Sequence, residues 1–268
     1  MAKLLWDQIG ERTYETGVDH GILFVNNNGS YGEGVAWNGL TTVTESPSGA
    51  EASAIYADNI KYLNLYSAEE FGCTIEAYTY PDEFGVCDGS ADIATGVSIG
   101  QQERKSFGFA YRTRLGNDTE GDSYGEKIHL IYGCRASTTQ KGYSTVNDSP
   151  EAINFSWEVT TTPVPVTGFR PTANVIVDST KTDETKYNQL LAILEGTDDT
   201  YTKLTTQPED WSTNYTGYYT KNSDGTYSAV PEGSAAPTWA ADTYYSKTAG
   251  IASRLPLPAE IMELMAAG

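Results

Sequence analysis

Two stretches of the chain alternate so regularly that strands can be read directly from them. In residues 106–114 (SFGFAYRTR), Phe107, Phe109 and Tyr111 fall on one face of an extended segment and Gly108, Ala110 and Arg112 on the other. Residues 126–137 repeat the period, with Ile128, Leu130 and Tyr132 opposite Lys127, His129 and Ile131. The polar stretch 116–125 (GNDTEGDSYG) lies between them. The two runs therefore predict a long hairpin whose acidic tip carries Asp118, Glu120 and Asp122.

Shorter strands are predicted at 21–26, where GILFVN runs into the turn-forming NNNGS, and at 40–46, 73–80, 153–162 and 173–178, all rich in β-branched and aromatic residues. Residues 50–57 and 60–66 predict a second hairpin, because Asp58-Asn59 between them tolerates positive φ. Pro81 opens a brief helical turn. The clearest helix is 183–195 (DETKYNQLLAILE), with Tyr187, Leu190, Leu191 and Leu194 at helical spacing, acidic residues in the first turn and Gly196 to stop it. Residues 258–266 allow one or two turns with Ile261, Leu264 and Met265 on one side. The chain is mainly β.

Residues 205–250 repeat loosely. Trp211 leads to Tyr218-Tyr219-Thr220-Lys221, and Trp239 leads to Tyr244-Tyr245-Ser246-Lys247, with the turn signal Asn222-Ser223-Asp224-Gly225 between the copies. This segment reads as a small inserted β module. The organisation expected is a main domain over 1–204, the insertion over 205–250, and a C-terminal arm over 251–268 that returns to the main domain. Trp211, Tyr219, Trp239 and Tyr245 are either an outward-facing platform for sugar rings or the packing that so small a unit needs.

Composition narrows the function. The 268 residues hold 17 Lys and Arg against 36 Asp and Glu, a formal charge of −19. Residues 1–150 hold 10 of the basic and 21 of the acidic groups, so no tail or arm explains the total. Clustered cations are what phosphate recognition needs, and a conventional nucleic-acid binder is excluded. Apolar residues at 39% and 19 Tyr suit half-buried strands and interfaces. The N-terminus has charges within seven residues and no apolar core of a signal peptide, and no stretch is long and apolar enough for a membrane helix, so synthesis and folding in a cytoplasm are expected. Cys73, Cys87 and Cys134 have no metal or disulfide spacing and are expected as reduced, packed thiols.

Reactive groups are sparse. His20 and His129 have no partner at the spacing of a triad or metal site, and His129, on the polar side of its strand, is expected at a surface or interface. No nucleophile elbow, phosphate loop or zinc-protease motif occurs. Residues 117–122 (NDTEGD) space oxygens as a calcium loop does but lack the later bidentate Glu, so a solvated tip explains them more simply. Asn28, Asn117, Asn147, Asn154 and Asn214 begin N-x-S/T triplets that, with no secretory signal, are polar loop chemistry. The expectation is a non-enzyme without metal or cofactor.

The residues also resemble a family. The strings GVDHGILF (17–24), YADN (56–59) and above all FGFAYRTRLGND (107–118) are similar to major tail proteins, the tail tube proteins of long-tailed phages of Gram-positive bacteria. The series continues through KIHLIYGC (127–134), YSTVNDSP (143–150), FSW (155–157) and TTTPV (160–164), and ends at LPLP (255–258), covering roughly residues 10–200 and the terminus. The resemblance implies a β-sandwich or barrel-like subunit with a flanking helix, a long hairpin, and terminal arms that reach neighbouring subunits. It implies rings, usually hexameric, stacked into a hollow tube through which DNA leaves the capsid without specific binding. Implied partners are further copies of the chain, the tape measure protein, the tail terminator and the distal tail proteins, with no membrane. The implied location is the virion tail, after synthesis in the host cytoplasm. A channel wall lined by carboxylates would repel phosphate, which gives the −19 charge a use. The alternative is a carbohydrate- or cell-surface-binding protein acting through the Trp/Tyr-rich module.

Overall fold

A computed structural model describes residues 3–146, 148, 151–233 and 235–266. Asn147, with its N-x-S/T triplet, and Ser149 and Pro150 of the resembling string lie outside the described residues. The chain forms two compact units, Met1–Glu195 with Arg254–Gly268, and Gly196–Ser253.

The first unit is built on one nine-stranded antiparallel sheet. Its hydrogen-bonded path runs Ser30–Tyr31, Thr13–Asn27, Phe107–Asn117, Gly121–Ala136, Phe155–Thr160, Gly72–Ala77, Leu40–Glu45. Val35–Trp37 also pairs with Thr13–Asn27, and Asn174–Asp178 with Gly121–Ala136. The alternation at the centre of the path does what its period dictates. Phe107, Phe109 and Tyr111 enter one core, together with Leu23, Trp37, Ile75, Phe84, Ile131 and Trp157. Because strands far apart on the path, Thr13–Asn27 with Leu23 and Leu40–Glu45 with Leu40 and Val43, contribute to this same core, the sheet folds over it as a sandwich. Ala110, Ile128, Leu130 and Tyr132 point the other way, into a second core with Tyr187, Leu190, Leu194, Leu255 and Ile261. That core is covered by the helices Glu184–Glu195 and Pro258–Ala266, so the fold is mainly β with flanking helices.

Gly133 lets one strand serve both halves of the sandwich. Residues 127–131 pair with Asn174–Asp178, whereas Arg135 and Ala136 pair with Thr160 and Val159. Between them Gly133 sits at φ 60°, and a Cβ there would lie 2.2 Å from the Thr162 carbonyl oxygen. The extra residue also flips the phase. Ile131 faces the first core, Tyr132 the second, and Cys134 and Ala136 face the first again.

The long hairpin is tighter than its polar sequence suggests. Its strands run to Asn117 and from Gly121, leaving three residues as the turn, where residues 116–125 read as a loop. Tertiary pairing overrides composition there. Thr13, Tyr14 and Glu15 pair with Asn117, Gly116 and Leu115, and the Tyr14 ring packs where a Gly116 side chain would stand. Asn117 Oδ1 accepts the backbone N–H groups of Thr119 (3.1 Å) and Glu120 (2.6 Å), closing the turn. The other hairpin forms as its sequence predicts. Ala52–Ala57 pairs with Ile60–Tyr66, and Asp58 (φ 51°) and Asn59 (φ 63°) make the two-residue turn. In the helix Glu184–Glu195, Asp183 Oδ1 caps the N–H groups of Thr185 and Lys186, and Gly196 at φ 78° ends it.

The second unit holds a four-stranded sheet ordered Thr200–Lys203, Tyr244–Thr248, Tyr219–Lys221, Tyr227–Ala229. It begins before residue 205 because Thr200–Lys203 pairs with the second copy of the repeat. The two copies are themselves neighbours, with Tyr219 opposite Tyr245 and Thr220 opposite Tyr244.

Candidate functional surfaces

The hairpin Ala52–Ala57 with Ile60–Tyr66 carries its apolar groups into solvent. Ile55, Tyr56, Ile60, Tyr62, Leu63, Leu65 and Tyr66 are all exposed, Tyr56 and Tyr66 at 69%. A two-stranded ribbon is marginal by itself, and exposed apolar patches are where proteins meet other proteins, membranes or ligands. The N-terminal segment adds Leu4, Leu5, Trp6 and Ile9, also exposed. Sequence reasoning placed this hairpin but not its exposure. The signal was present, since apolar residues stand at adjacent as well as alternate positions.

The acidic tip is tied down. Asp118 Oδ1 accepts the backbone N–H of Gly10 at 2.9 Å, and Asp122 Oδ1 accepts the Tyr14 hydroxyl at 2.7 Å, so the two carboxylates anchor the start of the strand Thr13–Asn27 and the residues just before it. Glu120 lies within the turn. Among the described residues no group of three or more His, Cys, Asp or Glu side chains could hold a metal ion.

His129 corrects an expectation. It is 7% exposed and stacks on Tyr111, with ring centroids 4.5 Å apart and planes 6° from parallel. Burial follows from register, because Tyr111 and His129 are direct partners in the long hairpin. Thr113 Oγ1 donates to Glu15 Oε1 at 2.6 Å, so its 3.0 Å contact with His129 Nε2 is donated by the imidazole. Nδ1, which makes no hydrogen bond, lies 3.5 Å from Glu45 Oε1, and that oxygen accepts the Tyr111 hydroxyl at 2.9 Å. The contact with His129 holds the Glu45 carboxyl below its usual range. Burial pushes Glu15 up, but hydrogen bonds from Lys127 and Thr113 outweigh it and the net direction is down. These groups line an open cleft of about 410 Å³ between residues 15–18 and 41–45. Each side chain is already held by a neighbour, and the row ties together the strands Thr13–Asn27, Leu40–Glu45, Phe107–Asn117 and Gly121–Ala136.

His20 is exposed and stands in a second ionic cluster. Arg112 binds Asp19 through Nε (2.7 Å) and Nη2 (3.1 Å) and Glu126 through Nη1 (2.8 Å), and Arg114 adds a contact to Asp19. Arg112 Nη2 also lies 2.8 Å from His20 Nδ1, which must be the acceptor because a guanidinium only donates.

The three cysteines are free and buried. Burial pushes the Cys73 and Cys87 thiols up to about 12 and Cys134 well above its ordinary value. A disulfide-exchange reagent at pH 8 should therefore titrate none of them in the folded protein and all three in denaturant; one fast-reacting thiol in the native state would contradict this placement.

In the second unit the four sequence-predicted aromatics separate. Trp211 is 3% exposed and packs against Trp239 (5.0 Å) and Tyr244 (4.4 Å) in a core with Tyr215 and Val230. Tyr219 and Tyr245 lie half-buried on the opposite side of the sheet.

No protein-family model matches the chain, and no curated protein matches it. Among solved structures, it is similar to a chain in a cryo-EM structure, six-fold symmetrised, of the anti-feeding prophage baseplate. The likeness covers 66% of this chain and 99% of that one, at a TM-score of 0.31 and 10% identity, which is too slight to argue from. No helix among the described residues is long and apolar enough to cross a membrane.

Proposed function

We propose that the chain is a phage structural protein of the virion and, more finely, that its copies assemble into stacked, hexameric rings forming the tail tube, the conduit for the genome. The observation that carries this reading is the exposed apolar hairpin Ala52–Ala57 with Ile60–Tyr66, which gives a chain of charge −19 a reason to associate with itself. The series of resembling strings from 17 to 164 supports the finer statement. In this reading the protein has no catalytic task. The apolar hairpin and N-terminal segment of one subunit cover neighbours in a heterologous contact that closes as a ring. The acid-rich surface repels the phosphates of passing DNA, so the channel conducts without adhesion. Its partners are further copies of itself, the tape measure protein, the tail terminator and the distal tail proteins.

Electron microscopy of the concentrated, purified protein should show rings or tubes. A chain that stays monomeric even with tail initiator proteins present would overturn the proposal.

A further inference from the structure

The four-stranded sheet of the second unit sorts its side chains by chemistry. Alternation puts Tyr201 and Lys203, Tyr219 and Lys221, Tyr245 and Lys247, and Tyr227 on one face. Cross-strand register interleaves them, with Tyr201 opposite Lys247, Lys203 opposite Tyr245, Tyr219 opposite Tyr245 and Lys221 opposite Tyr227. These are all three lysines of residues 196–253, a segment without Arg, and none of its seven acidic residues falls within the four strands. The other face carries Ser, Thr and the aromatic core around Trp211.

Ring packing accounts for only part of this face. Tyr201 stacks on Tyr227 at 4.1 Å, and edge contacts join Tyr201 to Tyr219 (5.1 Å) and Tyr227 to Tyr245 (4.9 Å). Phe would pack as well. The four phenol hydroxyls have no hydrogen-bond partner among the described residues, although the side chains are half-buried. Lys221 lies 5.9 Å above the Tyr227 ring and has no carboxylate partner among the described residues. Lys247 and Lys203 meet Asp199 (2.6 Å) and Asp242 (3.8 Å) at the margin, in exposed pairs weak enough to exchange for another anion.

We propose that this face binds an acidic oligosaccharide. Phenol hydroxyls pair with sugar hydroxyls, and the interleaved ammonium groups meet carboxylates spaced along the saccharide. Four strands at roughly 4.8 Å spacing span about 14 Å, which suits a short oligosaccharide. Nucleic acid fits poorly. The rings already stack on one another and so offer little free face to bases, whose binding rests on stacking, whereas the hydroxyls and ammonium groups at the ring edges stay free for a saccharide. The inference stands apart from the tail-tube reading.

The test titrates the full chain with tetragalacturonate, with maltotetraose and oligo-dT as comparison ligands, and reads heat and tyrosine NMR shifts. Saturable binding of tetragalacturonate is expected, at least tenfold tighter than either comparison ligand. The double variant Tyr227→Phe/Tyr245→Phe keeps the ring packing, and its melting temperature should stay at the wild-type value while binding weakens at least tenfold. Lys221→Gln should weaken binding most at low salt. No saturable binding, equal binding of maltotetraose, tighter binding of oligo-dT, or affinity unchanged in both variants would each overturn the proposal.

Discussion

Replacing residues 53–65 by Gly-Gly abolishes self-association and leaves the rest of the first unit folded: that is the expected result if the apolar hairpin is the assembly contact. Ala52 and Tyr66 are direct partners across the ribbon, so a two-residue link rejoins strands that are already adjacent. The ribbon contributes none of the buried residues of either core, so its removal opens no cavity. Burying the six large apolar side chains that this change removes is worth on the order of 10 kcal/mol. That is comparable with the roughly 4–15 kcal/mol that association costs in lost freedom, so the contact decides whether subunits join. Light scattering and electron microscopy should show monomers only, with wild-type circular dichroism and tryptophan fluorescence. Rings from the shortened chain at wild-type concentration would remove the hairpin from the assembly contact. Raised salt screens the repulsion between acidic subunits and should favour assembly of the intact chain, which separates its contribution from the hairpin's.

How much of this was legible in the sequence depends on where the deciding force lies. The inner face Phe107, Phe109, Tyr111 could be read from periodicity, because burial alone sets it. The turn Asp58-Asn59 and the helix after Asp183 could be read because local backbone chemistry sets them. The strand Thr13–Asn27 was legible only from residue 21. Its first half, TYETGVDH, has no apolar alternation and is held by pairing with residues 112–117 across a hundred residues of chain. The same long-range pairing turned both ends of the polar loop 116–125 into strand and buried His129 beside Tyr111. In the second unit the repeat was visible, but which aromatics form its core was not. That depends on Trp211 folding back from a helical turn onto Tyr244, a contact that neither strand's alternation encodes.

Arg112→Met should destabilise the first unit by about 3 kcal/mol at neutral pH, the low end of what removing one partner from a buried ion pair costs. The low end applies because Arg112 is 19% exposed and its partners Asp19 and Glu126 are 29% and 25% exposed. The substitution leaves two carboxylates facing a methyl group, with Arg114 and the His20 ring still beside Asp19. The loss should depend on pH in a definite sense. Hydrogen bonding from Arg112, with help from Arg114 and against burial, holds the Asp19 carboxyl far below its ordinary range. A depressed carboxyl stabilises the fold above its unfolded value, about 3.9, and that contribution fades as pH falls toward the folded value. The wild-type chain should therefore lose stability through this window. The variant, whose Asp19 titrates nearer the unfolded value, should lose less, so the difference between them is full above about pH 5 and shrinks on acidification. Urea titrations followed by the buried tryptophans Trp37 and Trp157 across pH 3–8 would measure it. A difference that stayed constant down to pH 3 would mean that Arg112 stabilises the strand Thr13–Asn27 by packing of its stem and not through Asp19. The ionic cluster joining the first strand to the long hairpin would then no longer explain why the unpatterned half of Thr13–Asn27 is a strand.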